Sequence, residues 1–187
     1  MRDRNLIRWA TVCCAALILA AGCGKPADVA DNYTNCWVTV LSINGNEPLQ
    51  SDILSNGVPA DDTITIQLKS VFRVLYEDDP TAPNGPSPFD TIIFHSYLVT
   101  HRRSDGGANP ASFTGGTNLR LEPDSEGEIN LVVVRGFDKH RSPLVELRDD
   151  GEIFTTSIIT LYGTDGNGND IAVDASITIS YANFIDS

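Results

Sequence analysis

The chain is predicted to be all-β, a single sandwich of about seven to eight strands, and three observations carry that expectation. Beyond about residue 35, apolar residues recur at alternate positions, the period that turns one face of a strand into a core. Gly, Pro and Asn gather between the alternating stretches as turn residues do. Only Ser142-Pro143-Leu144-Val145-Glu146 has a helix-start look, with serine at the cap and proline at the first position. Its β-branched Val145 and short length leave a strand equally open there.

Taken in order, Trp37, Leu41 and Ile43 share one side of a first strand. Ile64, Ile66, Leu68, Phe72, Val74 and Tyr76 follow on one parity of a long strand, or of a strand bent at Ser70, with Thr63, Thr65, Gln67, Lys69 and Arg73 on the other. Ile92, Phe94 and Leu98 are set against His95, Tyr97 and Val99 in the next. Residues 117–121 and 129–135 give two more, and the run Leu131-Val132-Val133-Val134 suits a central position. The last pair is the clearest. Ile159 and Leu161 alternate with Ile158, Thr160 and Tyr162, and Ile171, Val173, Ala175, Ile177, Ile179 and Tyr181 all share one parity.

Two stretches read as long loops. Residues 78–90 hold Pro80, Pro83, Pro86, Pro88 and Asn84-Gly85, and residues 104–118 hold Gly106, Gly107, Pro110, Gly115 and Gly116. Proline lacks the amide a strand ladder needs. Both loops exceed the usual connection of about 4 to 6 residues, so they are either the first places to look for a binding function or tolerated insertions.

The start of the chain carries an address. Arg2, Arg4 and Arg8 precede an apolar stretch from Trp9 to Ala21 broken only by Thr11, then Gly22 and Cys23, which is the layout of an export signal. Thirteen residues fall short of the roughly 20 needed to span a bilayer. Leu19-Ala20-Ala21-Gly22-Cys23 resembles the lipobox of bacterial lipoprotein precursors, with Ala20 where leucine is commoner. That resemblance implies cleavage between Gly22 and Cys23, a diacylglycerol in thioether linkage to the Cys23 sulfur, and often acylation of the new amino group. The expected organisation is a signal peptide at 1–22, a flexible tether at 23–34 and one sandwich domain at 35–187. The resemblance places the mature protein on a membrane, on its periplasmic or outer face. Gly24 is not the aspartate associated with inner-membrane retention, which favours the outer membrane in a Gram-negative cell.

Charge and cysteine count are read on the mature chain. Removing Arg2, Arg4, Arg8 and Asp3 leaves 10 basic and 24 acidic residues, so the formal charge of −12 becomes −14. Such a surface repels phosphate backbones, and nucleic acid is set aside as a partner. About 165 residues suffice for one core. Cys13 and Cys14 leave with the signal and Cys23 carries lipid, so Cys36 has no disulfide partner within the molecule. It is expected to be a small buried apolar residue; a reactive thiol would need exposure and a lowered pKa.

The closing segment Gly163-Thr164-Asp165-Gly166-Asn167-Gly168-Asn169, between two alternating strands, resembles the final hairpin of bacterial immunoglobulin-like domains. The resemblance covers residues 157–184 and implies an immunoglobulin-like sandwich without the paired cysteines and core tryptophan of antibody domains. Asp165, Asn167 and Asn169 also space oxygen atoms as a calcium loop does, but Asp170 and Ser176 stand where glycine and a bidentate glutamate belong. No cofactor beyond the covalent lipid is expected, and calcium at Asp165, Asn167 and Asn169 is the weak alternative, with Asp61-Asp62, Glu77-Asp78-Asp79 and Asp149-Asp150 as further carboxylates. Hairpin Asp and Asn ordinarily serve the turn itself.

No nucleophile elbow, zinc-protease helix, phosphate loop or haem attachment motif occurs, so no catalytic residue is assigned and the chain is not expected to be an enzyme. His95 and His101 share strand parity but stand about 20 Å apart at 3.3 Å per residue, too far for one metal on a straight strand. The leading functional reading is a lipid-anchored binding or interaction module whose partner is an envelope protein or glycan. A structural or assembly component of an envelope complex is the alternative, and an enzyme on a sandwich fold is the third.

Overall fold

The computed structural model describes residues 34–73 and 85–184, and these form a β-sandwich. The signal peptide, nearly all of the tether, Val74, Tyr76 and the Glu77-Asp78-Asp79 and Pro80 to Asn84 part of the first long loop lie outside the described residues. Eight strands follow in order: β1 (Cys36–Ile43), β2 (Leu49–Asp52), β3 (Asp62–Phe72), β4 (Ile92–Arg103), β5 (Phe113–Leu121), β6 (Glu126–Val134), β7 (Glu152–Asp165) and β8 (Asp170–Ala182). One sheet has the order β1-β3-β6 and the other β2-β8-β7-β4-β5.

All pairings are antiparallel except β2 with β8, which run parallel. The chain changes sheets at Asn44–Asn46, where positive φ values at all three residues turn β1 out of the smaller sheet and into β2. Among the described residues the smaller sheet has three strands, and β5 extends the larger sheet beyond β4.

Where the chain is regular, alternation decides burial directly. Ile159 and Leu161 of β7 and Ile171, Val173, Ala175, Ile177, Ile179 and Tyr181 of β8 all face the core, as do Ile64, Ile66 and Leu68 of β3. Two bulges reverse the expected parity elsewhere. The register of β1 slips between Val40 and Ser42, so Ile43 after the slip packs against the core although Trp37, of the same parity, stands before it on the outer side, 59% exposed, with Cys36, Val38 and Val40 turned inward and Leu41 44% exposed at the slip itself. Trp37 is covered instead by Arg73, whose guanidinium carbon sits 3.8 Å from the ring centroid. In β4 the slip lies between Phe94 and Ser96, so Ile92 and Phe94 before it, and Tyr97, Val99 and His101 after it, all point into the core, and Leu98 is on the outer face. An extra residue on one strand flips every side chain that follows it.

Two further expectations are corrected, and one left open is decided. Among the described residues β6 is an edge strand of the smaller sheet, not a central one; Val133 and Val134 are buried, and Val132 is partly buried beside them. Gly115 and Gly116 belong to β5, and the second loop ends at residue 112. A Cβ on Gly115 would stand 2.3 Å from Cζ of Tyr97, so the glycine is the gap through which that ring crosses the neighbouring strand. The segment open to helix or strand is a short 3-10 helix, Leu144–Arg148, with Leu144 and Leu147 buried.

Candidate functional site

Strand directions give the sandwich two unlike ends. β1 begins at one of them, and there the chain is clamped. Asn35 donates through Nδ2 to Asp90 at 2.9 Å, and Asp90 accepts the Ser87 amide at 2.7 Å in a capping box before β4. The turn between β7 and β8 lies at this same end. The opposite end collects the segments 53–61, 104–112 and 135–151.

The opposite end is built on buried charge. Lys139 is fully buried in a 3-10 turn, Asp138–His140. Its ammonium meets Asp62 Oδ2 at 2.9 Å and donates to the Asp52 carbonyl at 2.6 Å. Asp62 also accepts the Ser51 hydroxyl at 2.6 Å. One lysine thus ties the segment after β6 to β2 and to the start of β3. Burial pushes the Asp62 carboxyl up, opposed by Ser51 and Lys139. Asp138 is buried beside it and accepts from Arg135 Nε at 2.7 Å. Asp61 accepts the Gly136 amide at 2.6 Å, and a Cβ on Gly136 would lie 2.8 Å from the Pro59 carbonyl.

A second polar group continues inward. His101 is buried, with Nδ1 2.8 Å from the Ser157 hydroxyl and 3.2 Å from that of Tyr181, whose ring meets the imidazole edge-on. Burial holds the imidazole down to about 4, against the Asp138 charge, so it is neutral at physiological pH. Burial likewise raises the Tyr181 phenol. Neutral imidazole, hydroxyls and phenol satisfy one another without a net charge in the core.

On this rigid base two apolar side chains stand in water. Phe137 is 66% exposed with the Arg141 guanidinium over its ring, and Val58, in the segment that abuts Gly136, is 64% exposed. The neighbouring 104–112 loop is shaped by its own bonds. Asp105 pairs with Arg103 and accepts the Gly107 amide at 3.0 Å, Asn109 accepts the Arg103 amide at 2.8 Å, and Pro110 is buried.

The residues singled out from sequence separate. Cys36 is free and buried, and burial, with the Asp90, Asp124 and Asp165 carboxylates, pushes its thiol up; neither condition for a reactive thiol holds. Asp165 is buried, and its oxygens accept the amides of Asn167 at 2.9 Å and Asn169 at 2.8 Å and the Asn169 side-chain amide at 2.9 Å. The three candidate calcium positions therefore close a turn on one carboxylate. Among the described residues no group of three or more His, Cys, Asp and Glu side chains is placed to hold a metal. His95 and His101 do not share a face, since the bulge in β4 leaves His95 exposed and His101 buried. The Lys139–Asp62 pair and the His101–Ser157–Tyr181 group are not read from the sequence; the concentration of Arg135, Lys139, Arg141 and Arg148 in an acidic chain is the available signal for the first.

Shallow grooves lined by described residues include two on the sandwich surface. One of about 430 Å³ lies between the Ile43–Pro48 turn and Ile177 of β8, with Glu47 as its charged group. The other, of about 320 Å³, lies beside Pro86, Thr91 and Arg120. No helix among the described residues is long and apolar enough to cross a membrane.

No protein-family model matches the chain. No curated protein matches it. Among solved structures, the X-ray structure of Northeast Structural Genomics Consortium target SoR45 is similar at a TM-score of 0.37 and 10% identity, over 79% of this chain and 86% of that one. The sporulation control protein Spo0M from Bacillus subtilis is similar at 0.33 and 11%, over 78% of this chain and 49% of that one.

Proposed function

We propose that the chain is a lipid-anchored cell-envelope protein, attached through Cys23, that works as a binding or protein-interaction module with its far loop end as the contact surface. The observation that carries the reading is polarity. The lipobox and tether lead into β1 at one end of the sandwich, while Phe137 and Val58 stand exposed on the ion-paired base at the other. An exposed aromatic with a guanidinium above it, on a segment fixed by buried bonds, has the makeup of an interface anchor. Its partner on this reading is an envelope protein or glycan on the periplasmic or outer face, at the outer membrane in a Gram-negative cell. Phe137→Ala is expected to leave the fold intact and to cut capture of the partner from detergent-solubilised membranes about tenfold, the scale of a modest hot spot. Reproducible capture that ignores the substitution, or none by the folded full-length protein, contradicts the proposal.

A further inference from the structure

We infer that the outer face of the larger sheet pairs with the same face of a second copy of this chain, about a two-fold axis running along the strands between β4 and β7. The four strands β8-β7-β4-β5 are adjacent in that order, so their mid-line falls between β7 and β4. Rotation about it exchanges β5 with β8 and β4 with β7 at the same height. Side chains on this face then meet residues that complement them.

The row nearest the β7–β8 turn is Arg120, Ile93, Thr164, Asp170 across the four strands. The rotation sets Arg120 over the partner's Asp170 twice, with Ile93 over Thr164 between them. One step along, the row is Gly116, Ser96, Tyr162, Ala172, and the Tyr162 ring falls over Ser96 with the small Gly116 and Ala172 on either side. The third row, Thr114, Leu98, Thr160, Asp174, sets the Thr114 hydroxyl against the partner's Asp174 carboxylate and Leu98 against Thr160. Thr100 and Ile158 face each other in the fourth. Ile93, Ile158 and Tyr162 are 46%, 41% and 37% exposed, apolar surface that the pairing covers. Within its own chain Arg120 pairs with Glu122 at 3.4 Å and Asp174 accepts the Thr160 hydroxyl at 2.6 Å, so in the pair each takes on a second, intermolecular contact; with Asp170 at the far margin and an apolar centre, the face is complementary to itself under this one operation. The result is a sheet-on-sheet contact of the aligned kind.

The direction of the axis rests in part on the anchored reading. A two-fold along the strands leaves both β1 starts facing the same way, as two copies on one membrane require, whereas one across the strands would reverse a tether. Four rows over four strands span roughly 20 Å by 19 Å at the usual strand spacings, well below the roughly 800 Å² per partner of a standard interface. The pairing is therefore weak in solution and is raised by confinement to one membrane.

Thr100→Cys in the full-length protein, treated with a short bismaleimide in membranes, is expected to give a cross-linked dimer, since Cys36 is buried. In sedimentation of the detergent-purified protein, Arg120→Asp or Asp170→Arg alone should raise the dissociation constant about tenfold, because two attractive pairs become repulsive. The double exchange should return it to within about twofold. No cross-link in membrane-bound protein shown to carry lipid, single exchanges that leave association unchanged, or a double exchange weaker than either single overturns the pairing. Sedimentation does not depend on lipid at Cys23, so failure of the anchor and failure of the pairing are separate results.

Discussion

Lys139→Met is expected to lower the free energy of unfolding by about 3 kcal/mol near neutral pH, the scale on which removing one partner strands the other charge of a buried pair. Methionine fills similar space, so the loss is electrostatic and not a cavity. Asp62 is left with only the Ser51 hydroxyl, and the Asp52 carbonyl loses its donor. Asp62 keeps some contact with water, its side chain 18% exposed, which puts the effect at the lower end of the range for buried pairs. The control is Lys139→Met with Asp62→Leu. Apolar replacement of a whole buried pair is often neutral or stabilising, so the double variant should recover most of the loss. Urea unfolding followed by tryptophan fluorescence reads both. A single substitution costing under about 1 kcal/mol would mean that the pair does not hold the 135–151 segment to the sandwich.

Acidification is expected to unfold the protein through His101. Its pKa is near 6.5 in the unfolded chain and about 4 in the fold. Between those values the unfolded state binds more protons, so stability rises with pH across the window. The contribution is present in full above pH 6.5 and is lost as pH falls toward 4. At 1.36 kcal/mol per unit this amounts to about 3 kcal/mol. The raised Asp62 carboxyl acts in the opposite sense, gaining stability as pH falls through its own window, and it is common to both proteins being compared. His101→Gln should therefore flatten the decline between pH 6.5 and 4 while costing stability at pH 7 through lost bonds to Ser157 and Tyr181. An unchanged slope would mean that His101 is already solvated in the fold.

What the sequence made legible follows strand regularity. β7 and β8 pair over thirteen consecutive positions without a register shift, and every apolar position assigned to their inner face is buried. β1 and β4 were misread on the same logic because each carries one extra residue, and a single bulge in each sets one parity on opposite faces before and after it, leaving Trp37 outward and Tyr97 inward. No local pattern announces such a bulge, since it is fixed by the pairing strand. Gly115 looked like a loop residue for a related reason: the ring that needs its missing Cβ sits on β4. The polar network was the least legible part. Lys139 lies in a stretch with neither a period of two nor a helical period, and its partners Asp62 and Asp52 are brought to it by sheet topology. Asp165, Asn167 and Asn169 were legible as a turn, and the bonds converging on Asp165 show why the same spacing imitates a metal loop.

An anchored module with an outward-facing loop end stands or falls on Cys23. Metabolic labelling with palmitate, with the mass of the mature amino terminus read on the same material, tests it most directly. The expected result is a labelled chain beginning at a diacylglyceryl-modified Cys23, and for Cys23→Ala an unlabelled, uncleaved precursor. Unchanged cleavage and labelling in Cys23→Ala, or a natural chain that begins elsewhere without lipid, would contradict it.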